Sequence, residues 1–221
     1  MLEVLAKIPG RSKIAYKYSE TDIAHAAVLL RGFKGELRGF KEESVVDEHT
    51  FWLDFGATNP NLSDQSDTAV YQQQILEIID RIQLHEVNKV VLSRPSHLYT
   101  ECADAQATFA ALQERYSNCT VFALKHPDFG HWMGASPEVL FEEIDGGYRS
   151  MSLAGTRLSG ALNWGDKERE EQNFVTKEIY KTLDNFGGQV RTQGEETLNA
   201  GPVEHLMTWV ETDAMNAPAV D

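Results

Sequence analysis

Cysteine is nearly absent: Cys102 and Cys119 are the only two in 221 residues, too few for a disulfide framework and without metal-ligand spacing. A reducing, cytoplasmic compartment is the expected setting. Long apolar runs are also missing. The longest, Ala26 to Leu30, is far too short to cross a bilayer, and Glu3 and Lys7 interrupt the first residues where a secretory leader would carry its apolar stretch. Positive charge is scarce, with 20 Lys and Arg against 34 Asp and Glu and a formal net charge of −14. A field of that sign repels nucleic acid and anionic membrane surfaces, which excludes both as main partners. An anionic small substrate would have to meet local cations. There is no internal repeat and no low-complexity tract. What remains is an ordinary globular balance, 42% hydrophobic and 24% charged, enough for one sizeable core or two small ones.

The first sixty residues mix short apolar pairs with charge, as in Lys13 to Tyr18 and Thr50 to Phe55, and read as short strands joined by polar loops. Pro60 to Asp67 reads as a connector. From Thr68 the apolar positions Tyr71, Ile75, Ile78, Ile79 and Ile82 follow a helical period to about Leu84. Lys89-Val-Val-Leu-Ser93 reads as a buried strand, with Lys89, Val91 and Ser93 on one face. Asp104 can cap a second helix with a stripe at Ala105, Phe109, Leu112 and Tyr116, leading into a strand at Cys119 to Leu124. Three further strands are expected at His131 to Ala135, Glu138 to Ile144 and Tyr148 to Ala154. Asp145-Gly146-Gly147 makes a tight antiparallel hairpin of the last two. Asp166 opens the strongest helix, apolar at Phe174, Val175, Ile179 and Leu183 and stopped by Gly187-Gly188. A hairpin-like segment, Glu196 to Thr212, closes the pattern. The fold class this implies is α+β, mainly antiparallel sheets in layers with helices outside.

Several residues can carry chemistry, and each has a plainer alternative. Lys89 beside valines can be a base whose charged form is disfavoured by desolvation, or a lysine snorkelling from a strand end. Glu138 follows Pro137, which holds Ser136 extended and aims the next side chain reproducibly; a glutamate opening a strand can equally be a solvated edge residue. Gly155 and Thr156 offer open backbone and a hydroxyl, and Arg157 a guanidinium for a carboxylate, or the three form a strand-ending turn. Glu168 and Glu171, three apart near a helix N-terminus, suit oxygen ligation of Mg²⁺, or answer the helix macrodipole. His205 sits in an apolar run as a catalytic or a structural histidine. His126 and His131 bracket a turn without a third ligand and read as loop residues.

Lys-Val-Val-Leu-Ser-Arg, Gly-Ala-Ser-Pro-Glu, Leu-Ala-Gly-Thr-Arg, the glutamates of Lys-Glu-Arg-Glu-Glu-Gln-Asn-Phe-Val-Thr and the late His-Leu stand in the order in which chorismate-utilising enzymes carry them. Over about Val87 to Val210 the chain resembles that family, and within it the isochorismate synthases. The resemblance implies the anthranilate synthase component I-like fold, with residues 1–65 as a variable N-terminal segment and 66–221 as a partial catalytic core. It implies Lys89 as general base for water attacking C2 of chorismate, and Glu138 as general acid for the departing C4 hydroxyl. Mg²⁺ would be held by Glu171 directly and by Glu168 through water, with Gly155, Thr156 and Arg157 contacting substrate and His205 near the ring. The pathway served would be menaquinone or siderophore biosynthesis.

The resemblance also sorts subfamilies. A lysine at position 89 goes with water rather than ammonia as nucleophile, which turns the reading away from anthranilate synthases, and Ala154 stands where many aminodeoxychorismate synthases have a nucleophilic lysine. Salicylate synthases share Lys89, Glu138 and Ala-Gly-Thr and are the alternative enzyme. Relatives continue past the position of Asp221 through further Mg²⁺ carboxylates and carboxylate-binding cations. The fold is therefore expected to be incomplete at its C-terminal end, with impaired turnover. A homodimer or a complementing C-terminal chain is expected to cover the open edge, and a fragment without turnover is the non-enzyme alternative.

Overall fold

The computed structural model describes residues 1–31, 37–53, 55–56, 68–94, 96 and 104–213. They form two units that interleave along the chain, one drawn from 1–56 and 104–138 and the other from 68–96 and 139–213. The chain passes from the first unit to the second between residues 56 and 68, and the N-terminal strands share a sheet with strands that follow residue 119. The expected connector, Pro60 to Asp67, lies outside the described residues, as do Cys102 and the C-terminal tail from 214. In chain order the helices are α1 (Glu48–Leu53), α2 (Thr68–Gln83), α3 (Ala105–Arg115) and α4 (Asp166–Asp184).

The first unit is a six-stranded antiparallel sheet of β1 (Leu2–Lys7), β2 (Ile14–Thr21), β3 (Val28–Arg31), β4 (Leu37–Val45), β5 (Thr120–His126) and β6 (Gly130–Ser136), ordered β3-β4-β2-β1-β5-β6. Alternation along the central strands covers both faces. Leu5, Val121 and Ala123 pack with Phe51 and Phe109 on one face, and Leu2 with Tyr18 and Phe40 on the other. Both helices of this unit begin at an aspartate. Asp104 Oδ1 accepts from Ala107 N at 3.0 Å, and Asp47 Oδ2 from Thr50 N at 3.0 Å. The cap at Asp47 corrects the strand expected over Thr50 to Phe55. Phe51, Trp52 and Phe55 recur at helical spacing and stack on one another with ring centroids 5.0 to 5.6 Å apart. His126 and His131 lie on β5 and β6 rather than in a loop. His126 is buried and stacked on Phe129 at 4.4 Å, and His131 Nδ1 meets the backbone of Gly56. Cys119, just before β5, is a buried free thiol whose ionisation burial pushes up.

The second unit is a five-stranded antiparallel sheet of β7 (Glu142–Ile144), β8 (Gly147–Leu158), β9 (Val190–Thr192), β10 (Glu196–Ala200) and β11 (Val203–Asp213), ordered β10-β11-β8-β7 with β9 also on β11. Asp145-Gly146 turns β7 into β8, with Gly146 at φ +79° and Ile144 facing Gly147. The strand expected from Glu138 begins only at Glu142. Lys89 to Ser93 forms no strand: Val91 is 82% exposed, and the segment is tied instead to α2 by Tyr71 Oη to Leu92 O (3.5 Å) and Arg94 Nη1 to Thr68 Oγ1 (2.8 Å). A β-branched run becomes a strand only where an edge offers it hydrogen bonds. Among the described residues none does so here. α2 buries no side chain fully, whereas α4 lies against β8 and β11. No helix among the described residues is long and apolar enough to cross a membrane.

Candidate active site

The Leu153-Ala-Gly-Thr-Arg157 motif occupies the second half of β8 and carries an irregularity. Pairing with β11 runs Leu153 opposite Met207 and then Thr156 opposite His205, so Ala154 and Gly155 together face Leu206. This bulge turns Gly155 toward α4. A Cβ at Gly155 would stand 2.8 Å from Glu168 O and 2.9 Å from a Leu206 methyl, so hydrogen at this position is what lets the helix backbone come this close. The N-terminal half of α4, with Glu168 and Glu171, is thereby laid against the strand. Gln172, 1% exposed, bridges helix and sheet. Its Oε1 accepts from Ala154 N at 2.9 Å, and its Nε2 donates to Ser152 O at 2.9 Å, Ser152 Oγ at 3.1 Å and Thr208 Oγ1 at 3.3 Å.

Lys89 reaches the same helix. Its Nζ lies 3.1 Å from Glu171 Oε1, with both side chains about a quarter exposed. Ile82, Val91, Leu92 and Phe174 join this pair around a cavity of about 560 Å³. Lys167 Nζ stands 3.6 Å from Glu168 Oε1 and 3.5 Å from Glu171 Oε2, so one exposed ammonium pairs with both carboxylates. Two carboxylates are the donor set Mg²⁺ commonly takes from protein, with water and substrate oxygen completing the shell. In kind, Glu168 and Glu171 fit that ion. Among the described residues no group of three or more His, Cys, Asp and Glu gathers around a point.

Thr156 and His205 come together across the strands, with Thr156 Oγ1 3.0 Å from His205 Nδ1. Arg157 is committed inside the unit. Its Nε and Nη2 both lie 2.8 Å from Glu204 Oε2, and the guanidinium covers Trp164 at 4.1 Å. Glu138, the last residue of the first unit, lies in the connection after β6, exposed, its N–H donating to Ser136 Oγ at 3.3 Å. The motif residues thus assemble within the second unit as Lys89 with Glu171, Glu168 against Gly155, and Thr156 with His205. Gln172, Lys167 and Thr208 escape a motif reading. One signal for Gln172 was available: the stripe Leu183, Ile179, Val175, continued toward the N-terminus by helical steps, arrives at Gln172 and then Glu168.

An acidic helix, a bulged strand and a paired lysine thus stand together in the second unit, beside a cavity with an apolar wall. The chain belongs to the chorismate binding enzyme family, whose model matches residues 41–219. It is similar to the isochorismate synthase MenF of Pasteurella multocida (strain Pm70), 26% identical over 157 residues, covering 66% of this chain and 36% of the relative. The isochorismate synthase MenF of Escherichia coli (strain K12) is 27% identical over 160 residues, covering 66% of this chain and 37% of the relative. The chain thus spans little more than a third of these relatives' length. Two solved structures share the fold at 16% identity and cover 98% of this chain. One is described as a 2,3-dihydroxybenzoate-specific isochorismate synthase, DhbC, of Bacillus anthracis (TM-score 0.67, 69% of that chain); the other is the menaquinone-specific MenF of Escherichia coli (TM-score 0.59, 65% of that chain). The expected layered antiparallel α+β fold of chorismate-binding enzymes is the fold observed.

Proposed function

We propose isochorismate synthase chemistry for this site: water adds at C2 of chorismate, the ring double bonds shift, and the C4 hydroxyl leaves as water. The observation that carries the reading is the convergence of Lys89, Glu168, Glu171 and the Ala-Gly-Thr strand in one unit, in a chain whose relatives include two MenF isochorismate synthases. In this reading Lys89, released from Glu171, takes the proton from the attacking water. The resemblance to the family assigns to Glu138, which belongs to the first unit, the proton that the departing hydroxyl needs. Gly155 and Thr156 seat the substrate beside the sheet, His205 fixes the Thr156 hydroxyl, and Arg157 holds the strand end against Glu204. Glu171 and Glu168 would hold Mg²⁺, which supplies charge neutralisation for the substrate's ring carboxylate. The product would enter menaquinone or siderophore synthesis.

One observation favours a second element in this reading. The Lys89 segment pairs with no described strand, and Val91 stands in solvent. A further polypeptide segment, from a second copy or a complementing chain, would complete the site. The test is titration calorimetry of chorismate with and without Mg²⁺, beside a coupled assay for isochorismate. Mg²⁺-dependent binding with little or no turnover is expected of this chain, and in a chain completed by that further segment Lys89→Ala and Glu138→Ala should abolish turnover while the fold persists. Absence of Mg²⁺-dependent chorismate binding overturns the reading, and turnover retained in either variant removes that residue from its role.

A further inference from the structure

Where two residues of β8 oppose one of β11, a backbone N–H is lost from the ladder, and in a buried place it must find another acceptor. That group is Ala154 N, and its acceptor is the Gln172 side chain at 2.9 Å. The orientation of the amide is fixed by its neighbours. Ala154 N–H can only donate and Ser152 C=O can only accept, so the oxygen must face the former and the NH₂ the latter. The remaining donor capacity goes to Ser152 Oγ on β8 and Thr208 Oγ1 on β11. No other side chain of this length offers an acceptor on one atom and two donors on its twin. A carboxylate would set an acceptor against the Ser152 carbonyl, and a hydrocarbon would orphan Ala154 N.

We infer that Gln172 is a positioning residue that locks the β8 bulge, and through it the register that sets Thr156 against His205. A strand that slips by one residue turns every following side chain to the opposite face. Without the bulge, Thr156 would exchange faces with its neighbours, and the Oγ1 to Nδ1 contact of 3.0 Å would be lost. The register claim stands on the hydrogen bonds alone. Only its consequence for ligand affinity rests on the proposed reading of chorismate as substrate.

The test uses the full chain with Gln172→Met, which keeps length without either polar atom, and Gln172→Glu, which keeps the acceptor. Amide hydrogen exchange by NMR is read as the Ala154 rate relative to Val210, a buried residue of β11 beyond the bulge. With Gln172→Met that ratio should rise at least tenfold, the His205 ring nitrogen signals should shift, and chorismate affinity in Mg²⁺ should fall at least tenfold. Gln172→Glu should hold the Ala154 ratio within threefold of the native chain. If Gln172→Met does not fold, Thr208→Val, which removes one of the amide's donor-side partners, carries the same comparison with smaller shifts in the His205 signals. Unchanged Ala154 exchange overturns the inference. So does lost Ala154 protection with unmoved His205 signals, which reduces Gln172 to a structural bond. A native chain that binds no chorismate defeats the functional reading and leaves the exchange result to decide this one.

Discussion

The two sheets bury different things. In the first unit the central strands are covered on both faces by apolar clusters built on Leu5, Phe51 and Phe109 and on Leu2, Tyr18 and Phe40. A buried lysine, Lys125, is answered by Glu3 at 2.8 Å, the Phe51 carbonyl at 2.9 Å and the Phe51 ring. In the second unit β8, β11 and α4 bury Ser150, Ser152, Gln172, Thr208, Glu211 and Thr212 among Met151, Leu183, Leu206, Met207 and Val210. Apolar burial is non-directional, whereas buried hydrogen bonds fix direction and register. The unit that carries the candidate site thus adds a larger share of directional bonds to its apolar packing, where the other relies more on contact area.

That contrast can be broken most directly by truncation. Phe109→Ala should cost about 3–5 kcal/mol in denaturant unfolding, because the ring is 2% exposed and packs against Trp52 at 5.4 Å. Ser152→Ala should cost only about 1–2 kcal/mol; equal losses from the two would erase the distinction. Next in size is Gly155→Ala. The new methyl meets the Glu168 carbonyl, an atom of helix backbone that cannot swing aside, so a loss of about 1–3 kcal/mol is expected, together with weaker chorismate binding. Gly194→Ala, with nothing within 4 Å of the new carbon, is the matched control and should stay within about 0.5 kcal/mol of the native chain.

Arg157→Lys sharpens the directional side of the comparison. The lysine keeps the charge but cannot present two N–H groups to Glu204 while covering Trp164, and about 1 kcal/mol should be lost in thermal unfolding. The smallest effect belongs to the first unit. Burial, then the nearby Arg38 and the N-terminal ammonium, hold His126 below its ordinary value of 6.5, against the opposing pull of Asp128 and Glu20. With a folded value below the unfolded one, its contribution to stability is complete above about pH 6.5 and is lost as the pH falls through the folded value. The melting temperature of the native chain should therefore decline between pH 7.5 and 5.5 more than that of His126→Phe. Parallel curves would remove His126 from the account. Glu3 acts in a lower window. Burial alone would raise its carboxyl, but Lys125 and Lys17 together hold it below its ordinary 4.5.

Helical spacing, aspartate caps and the Asp145-Gly146 turn were legible because they are local: each states its requirement within a few residues. Thr68–Gln83, the Asp104 cap and the antiparallel β7–β8 hairpin follow from them. Lys89 to Ser93 misleads because β-branched residues describe a preference that only a partner edge can satisfy. Thr50 to Phe55 misleads because aromatic density was read ahead of the aspartate that precedes it. The bulge at Ala154 and Gly155 is invisible in either strand alone. It exists in the mismatch of one strand against another, and in the buried amide of a helix 18 residues further on. The motif letters were therefore readable, while the atoms that hold the β8 bulge in place were not.

Cys119 gives the first unit a chemical clock. Its sulfur is enclosed at the joint between α3 and β5, its backbone N–H is tied to Tyr116 O at 2.9 Å, and its thiol resists ionisation. A thiol reagent can reach it only when that joint parts. In a Cys102→Ser background, the alkylation rate counts those partings directly, and does so in a sample where no ligand, metal or second chain need be present.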